Sequence, residues 1–398
     1  MAVIRGSGGL SRRELLFYLG ASSLALVACG SESEEGASTG GSIRSTADAS
    51  SSDGGVKWGM SPQEAAAWAE VESAAKDEGK VIYYAVGSLP ADQAGRLQEL
   101  FAKDYPDIEI QYLNPGNNSA VISKVITEQQ SGNVVGDLVE TSMGNVGNIG
   151  PQYMMEFTAP AARDPEAKMA FDPVGVFEGQ PRFTGTMAQN YGIWYNTNDI
   201  SSDEAPKNYQ DLTDPKYKDL IVWRQPWNTG GGNHTYRFLK GLYGDEWVQK
   251  MRDQNMTFVE DQDAGLLQVA RGEYAIGMGL AGRQGGTFIE QGMPLAVSWP
   301  TDLNVRVTNG VIIQKDAPNS NAAKVLANWL ISPPGQELWR ELGQYPIDTN
   351  IPPLYDWQQG YDIAEHKEEN VLSGPDLEKL LDEAKADFQR SLEAFRTT

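Results

Sequence analysis

A single cysteine, Cys29, occurs in the 398 residues of this chain, so no internal disulfide can form and stability must come from a core of ordinary size. Histidine is nearly as scarce, with His234 and His366 alone. That leaves little imidazole or thiolate for a zinc site, and a bound metal would need oxygen ligands. Positive charge is in deficit as well: 32 lysines and arginines stand against 54 aspartates and glutamates, a formal net charge of -22. A nucleic-acid partner is excluded, because phosphate backbones require a basic footprint. Acidity of this kind favours solubility and leaves room for a local basic pocket. Long apolar runs are missing too. The one near the N terminus, Leu15 to Val27, is shorter than the ~20 residues of a membrane-spanning helix.

That short run sits between Ser11, Arg12, Arg13, Glu14 and the pair Ala28, Cys29, which is the layout of a signal peptide with a basic n-region. Leu26, Val27, Ala28 and Cys29 resemble the lipobox of bacterial lipoproteins, which implies cleavage before Cys29 and a lipid on its thiol. Arg12 and Arg13 after Ser11 resemble the twin-arginine export signal, with Leu15 where phenylalanine is usual. From Gly30 to about Gly55 the chain is Ser, Gly, Ala, Glu and Asp, too poor in large apolar residues to bury a core. It reads as a flexible tether. Roughly 340 residues remain, past the size at which one core stops growing, so two lobes are expected.

Ser61, Pro62 and Glu64 form a helix start with a capping box, and Gly79 ends the helix. Lys80 to Val86, Ile108 to Leu113 and Asp137 to Thr141 read as strands, separated by helices over Ala91 to Asp104 and Ser119 to Ser131. Strict alternation of this kind predicts parallel α/β units. After a loose stretch from Pro151 to about Gly185, strands are expected at Asn190 to Tyr195, Leu220 to Trp223, Tyr274 to Met278 and Gly310 to Gln314. Helices are expected at Tyr236 to Tyr243, Ala264 to Arg271, Asn321 to Ile331 and Pro375 to Arg396.

The ordered series VIYYA, LFAKDYPDIEIQYL, DLVET, YGIWYNTNDI, DLTDPKYKDLIVW, VARGEYAIGMG and NWLISPPGQELW resembles the extracellular solute-binding proteins of ABC importers. The similarity is to the branch of ferric-iron, thiamine and aminoethylphosphonate binders, and it spans about Lys80 to Pro346. It implies an α/β type II periplasmic-binding-protein fold, with a hinge and a ligand cleft between two lobes. The expected domains are a signal peptide at 1–28, a tether at 29–60, lobe 1 from 61–180 plus 304–350, and lobe 2 from 181–303 plus 351–398. The resemblance further implies a monomeric, lipid-anchored receptor of a small solute, exported to the outer face of the membrane or the periplasm. Its partners would be a membrane permease and, through Cys29, the bilayer. No cofactor is called for.

The richest segment is Trp223 to Thr235, which runs from a strand end to a helix start through Arg224, Trp227, Thr229, Gly230, Gly231, Gly232, Asn233 and His234. Consecutive glycines at a helix start can form a nest of backbone donors for an anion, and they equally suit a plain turn. The position matches the Ser/Thr-Gly-Thr loop of the phosphonate-binding relatives, although the residues differ. Arg224 and Arg283 each follow a strand and carry guanidinium forks suited to carboxylate or phosphate; pairing with acidic surface neighbours is the alternative. One of Trp194, Trp223 and Trp227 is expected to face the ligand, while tryptophan in an interior strand is commonly core. His234 reads as a capping group, or one that supports the ligand contacts from behind, rather than a ligand. Ser88, Thr141 and Ser142 follow the first and third strands, where relatives contact ligand.

Ferric-iron relatives carry adjacent tyrosines where this chain has Gly279, Leu280, Ala281, Gly282 and Arg283. Tyr83 and Tyr84 are adjacent within a strand, so their side chains point to opposite faces. An anionic organic or phosphorus-containing solute is therefore expected ahead of iron. An enzyme would need a nucleophile with its base, and neither a Gly-x-Ser-x-Gly elbow nor a spare cysteine is present. Asp261 and Asp263 could pair as acid and base, or form a solvated turn before a helix.

Overall fold

The computed structural model describes residues 57–86, 89, 93–116, 118–303, 305–360 and 374–388. Cys29, Ser88, His366 and the expected leader lie outside these residues. Helix α1 (Pro62–Glu78) starts as its sequence dictates: Ser61 Oγ accepts from Glu64 N at 3.3 Å, and Glu64 Oε2 accepts from Ser61 N at 2.8 Å. Gly79 ends it at φ 67°, a left-handed cap that favours glycine.

Beyond α1 the chain alternates through β1 (Lys80–Tyr84), α2 (Ala94–Asp104), β2 (Glu109–Leu113), α3 (Asn118–Ser131), β3 (Leu138–Ser142) and the single turn α4 (Met143–Val146). An antiparallel pair, β4 (Val174–Phe177) and β5 (Gln180–Tyr191), follows. The next block is β6 (Ile193–Asn196), β7 (Ile221–Arg224), α5 (Gly231–Asp253), β8 (Thr257–Val259), α6 (Gln262–Ala270), β9 (Ile276–Met278), α7 (Arg283–Glu290) and β10 (Leu295–Ser298). The chain then returns with β11 (Val305–Ile313), α8 (Ser320–Ile331), α9 (Pro333–Glu341), β12 (Tyr345–Pro346) and α10 (Gly374–Asp387).

Among the described residues these strands make two sheets. The first has order β12-β5-β11-β3-β1-β2 with β4 beside β5, and the second has order β10-β6-β9-β7-β8. β1 runs parallel to β2 and β3, and β7 runs parallel to β8 and β9. Both parallel blocks therefore direct strand ends and helix starts to one edge. Within the first sheet, β3 and β11 are buried along their whole length. Tyr83 packs with Phe101, Leu326 and Trp329 on one face, while Tyr84 packs with Val121, Val125 and Ile312 on the other. Their hydroxyls donate to different carboxylates, Tyr83 to Glu140 at 3.4 Å and Tyr84 to Glu128 at 2.7 Å.

The segment expected as one strand from Asn190 to Tyr195 is two strands in different sheets. β5 stays with β11 as far as Tyr191, paired to Val305, whereas Ile193 pairs with Ser298 in the second sheet. The change of sheet thus falls at Gly192, whereas the lobe boundary expected from the sequence lies at 180/181. Tyr191, Ile193, Trp194 and Tyr195 are all strand formers, so the sequence conceals this change. The glycine marks it. A Cβ there would lie 2.5 Å from Val297 Cγ2 and 2.8 Å from the Trp299 ring, beside the second crossing between β10 and β11. Ala384 and Phe388 of the C-terminal segment enter the second core, against Trp223, Tyr236 and Phe258.

Gly192→Ala is expected to lower stability by about 1–3 kcal/mol, because the two crossing segments leave no space for a methyl group. Urea unfolding checks this. An unchanged midpoint would mean that the crossings part without cost.

Candidate functional site

Between the two sheets lies a cavity of about 360 Å³, lined from both sides at the carboxyl ends of the parallel strands. Val86 follows β1, Ser142 ends β3, Arg224 ends β7, and Asp261 to Asp263 follow β8. Two other hollows, of about 530 and 580 Å³, are lined by residues of the first lobe and its flanking loops alone. The interlobe cavity is the candidate site because the strand ends of both sheets converge on it. Its mouth is bridged: Ser119 Oγ on α3 and Thr229 Oγ1 before α5 share a 3.3 Å hydrogen bond.

Four helices present their amino ends to this cavity, through Asn118 at the start of α3, Gly230 as the cap of α5, Asp261 as the cap of α6, and Arg283 at the start of α7. Each amino end carries roughly half a positive charge, which at α6 is offset by the Asp261 carboxylate that caps Ala264 N. Two guanidinium groups add to that field. Arg224 Nε donates to Glu260 O at 3.3 Å and Nη1 to Gln262 Oε1 at 3.4 Å, while Arg283 Nη2 lies 3.6 Å from Asp263 Oδ2. Burial pushes the Asp263 carboxyl above the usual carboxylate range; Arg283 draws it back, Asp261 adds to the rise, and Arg224 opposes it. The Asp261 carboxylate is engaged as the α6 cap, where Oδ1 accepts from Ala264 N at 2.7 Å.

Two further lining residues are nearly inaccessible, Ser142 at 3% exposure and Asn309 at 4%. Ser142 Oγ and Asn309 Nδ2 are buried with no hydrogen-bond partner among the described residues. Ser142 occupies the cap position of α4 without its side chain capping. An unmade buried hydrogen bond costs on the order of 1–3 kcal/mol, so these atoms favour an incoming group that pairs with them.

Of the residues singled out in the sequence, Ser142, Arg224, Thr229, Gly230 and Arg283 meet at this cavity. Ser88 lies outside the described residues. Thr141 is fully buried and donates to Asn118 Oδ1 at 3.3 Å, one step back from the lining. None of the three tryptophans lines the cavity: Trp194 and Trp223 are core, and Trp227 is partly buried at the edge of the second core. Trp194 is fully buried and donates to Leu280 O, Trp223 is fully buried and donates to Thr235 Oγ1, and Trp227 packs 4.9 Å from the Phe258 ring. An indole on a short interior strand completes the layer behind the site.

The glycine run is corrected in part. Gly230 lines the cavity, but Gly231 and Gly232 are buried by close packing: a Cβ would lie 2.3 Å from Tyr191 Cε1 at Gly231 and 2.1 Å from Arg224 O at Gly232. Asn233 is also buried, and its Nδ2 donates to Pro226 O. His234, read as a capping group, lines the cavity with its ring centroid 6.3 Å from that of Tyr191. Sequence reasoning missed Asn118, Gln189, Tyr191 and Asn309 as lining residues. Asn118 stands at a helix start, and that signal was available; Asn309 lies at a register shift in β11 that no local pattern announces.

A model of the bacterial extracellular solute-binding proteins matches residues 60–337. The chain belongs to this family. Among solved structures, it is similar to iron-bound HitA from Pseudomonas aeruginosa, with a TM-score of 0.60 at 16% identity over 78% of this chain and 99% of that one. It is likewise similar to AfuA from Actinobacillus pleuropneumoniae with fructose-6-phosphate bound, with a TM-score of 0.60 at 19% identity over 79% and 97% of the two chains. Identity at this level establishes the shared two-lobed fold of periplasmic binding proteins. An uncharacterized protein of Haemophilus influenzae is 28% identical over 152 residues, 37% of this chain and 44% of that relative. The match thus spans less than half the length of the curated relative.

For this solute-binding protein, Gly232→Ala is expected to push the first turn of α5 off β7 and destabilise the fold by more than about 2 kcal/mol. Gly241→Ala, on the same helix with open space around it, is expected to be neutral or to stabilise by up to about 1 kcal/mol. Thermal unfolding of both variants checks the contrast.

Proposed function

We propose that this protein captures a small anionic solute, organic or phosphorus-containing, between its lobes and delivers it to the permease of an ABC importer. It is a binder and not an enzyme. One observation carries the anion reading: four helix amino ends and two arginines surround a cavity whose buried donors, Ser142 Oγ and Asn309 Nδ2, lack partners. Backbone and side-chain donors of this kind complement carboxylate or phosphate oxygens. Entry of the anion, pairing at the Gly230 loop and Arg224, and hinge closure at the crossings make up the capture cycle. Lipid on Cys29 and a tether ending before Lys57 would hold this monomeric receptor near its permease; the tether expected to residue 60 is shortened because Trp58 is buried against Trp68.

A ferric ion is the second reading, since Tyr191 from the first sheet and Asp261 and Asp263 beside the second offer oxygen ligands to one cavity, and His234 adds an imidazole. The helix field opposes it. A trivalent cation there would meet repulsion from Arg224, Arg283 and the helix amino ends.

Native mass spectrometry of freshly purified protein would reveal a retained ligand, and a thermal-shift screen of phosphonates, phosphate esters, carboxylates and ferric citrate would classify it. A ligand at 100 times its dissociation constant adds about 2.7 kcal/mol of stability. A melt that moves with iron alone would replace the anion reading. Arg224→Ala is expected to weaken binding of the identified anion more than tenfold, about 1.4 kcal/mol, with the unfolding midpoint of the free protein unchanged. Equal affinity would remove Arg224 from the site.

A further inference from the structure

Asp263 is out of place in a cleft for a bare anion. It stands in the first turn of α6 and lines the cavity, with Oδ2 3.6 Å from Arg283 Nη2. That contact partly neutralises the guanidinium that an anion would use. Its other oxygen, Oδ1, is buried with no hydrogen-bond partner among the described residues. A capping role does not explain it, because Asp261 already caps the helix. The upward push of burial on this carboxyl shows that its position costs free energy.

Toward an anionic ligand, a half-buried carboxylate is repulsive, and its repulsion falls on every anion alike. The same carboxylate becomes attractive when the ligand brings a hydroxyl or ammonium donor to it. Lining groups of the two kinds then have separate tasks. Arg224, Arg283, Ser142, Asn309 and the helix amino ends supply donors, and Asp263 supplies an acceptor.

We propose that Asp263 is the specificity-determining residue of this cleft, accepting a hydrogen bond from a hydroxyl or ammonium group on the same small ligand whose anionic end the arginines and helix ends hold. The inference rests on the anion reading above. The ligand class it names is a small anion carrying a donor, and a bare anion of equal size is rejected.

Calorimetric titration with two matched sets tests it: ethyl phosphate, glycerol phosphate and ethanolamine phosphate, then succinate, malate and aspartate. The wild-type protein is expected to bind the donor-bearing members of one set at least about tenfold more tightly than the bare member. Asp263→Ala is expected to invert that order, strengthening the bare anion and weakening the donor-bearing one. Asp263→Asn keeps an acceptor and loses the charge, so it retains a hydroxylated ligand and loses an ammonium-bearing one. A structural role for Asp263 would move all ligands of a set together, and that result overturns the proposal. Equal wild-type affinity for bare and donor-bearing members also overturns it while leaving the anion reading intact. If the wild-type protein binds no member of either set, the anion reading falls and the proposal falls with it.

Discussion

The contact on which this molecule depends is the near-collision of two backbones, where the first turn of α5 presses on the end of β7. With a notional Cβ of Gly232 only 2.1 Å from Arg224 O, no residue with a side chain fits between them. The glycines seen in the sequence as a possible anion nest are first of all a packing device. Thr235, one turn on, accepts from Trp223 Nε1 and donates to the carbonyls of Gly231 and Gly232, which locks the helix start to the strand. This lock holds the strand end that carries the half-buried Arg224, whose guanidinium donates to Glu260 O and Gln262 Oε1. The C-terminal helix braces the same point from behind: Phe388 lies 5.4 Å from the Trp223 ring, and Asp387 accepts from Tyr236, Lys240 and Arg252. A helix that the sequence marks only as amphipathic thus bears on the site without touching it.

Much of this is legible in the sequence. Parallel α/β units, the capping box at Ser61, the strand ends carrying Ser142 and Arg224 and the loop that leads to Arg283 all follow from local patterns, because period, caps and turn residues are set by neighbours in the chain. Local patterns fail where tertiary contacts decide. Gly192 divides what reads as one strand between two sheets, beside Val297 and Trp299. Asn309 enters the cavity from the middle of a long strand at a register shift, and Tyr191 does so from the last residue of another. The tryptophans misled for a physical reason: their size makes them good ligand platforms and equally good core, and the indole N–H of Trp194 and Trp223 found partners inside the fold.

The cleft belongs to neither sheet alone, and this follows from the two crossings. Because β5 stops at Tyr191 and β6 begins at Ile193, the residues on either side belong to different sheets while separated by one glycine. Ser119 and Thr229 meet across the mouth by a single exposed hydrogen bond, which is worth on the order of 1 kcal/mol. That contact is weak. Under the proposed capture cycle, a ligand that pairs Ser142 Oγ and Asn309 Nδ2 would supply a larger differential and favour a closed arrangement.

Charge makes the same point from outside. A body of net charge -22 repels an approaching anion at long range, yet that field is screened within about 8 Å at physiological ionic strength. Inside the cleft Arg224, Arg283 and the helix amino ends lie beside the carboxylates of Asp261 and Asp263, so the lining carries both signs at short range. Under the anion proposal, recognition would be a short-range matter of donor geometry, with little help from steering. The selective load would then fall on a few fixed atoms, and Asp263, 3.6 Å from the Arg283 guanidinium, is the acceptor among them.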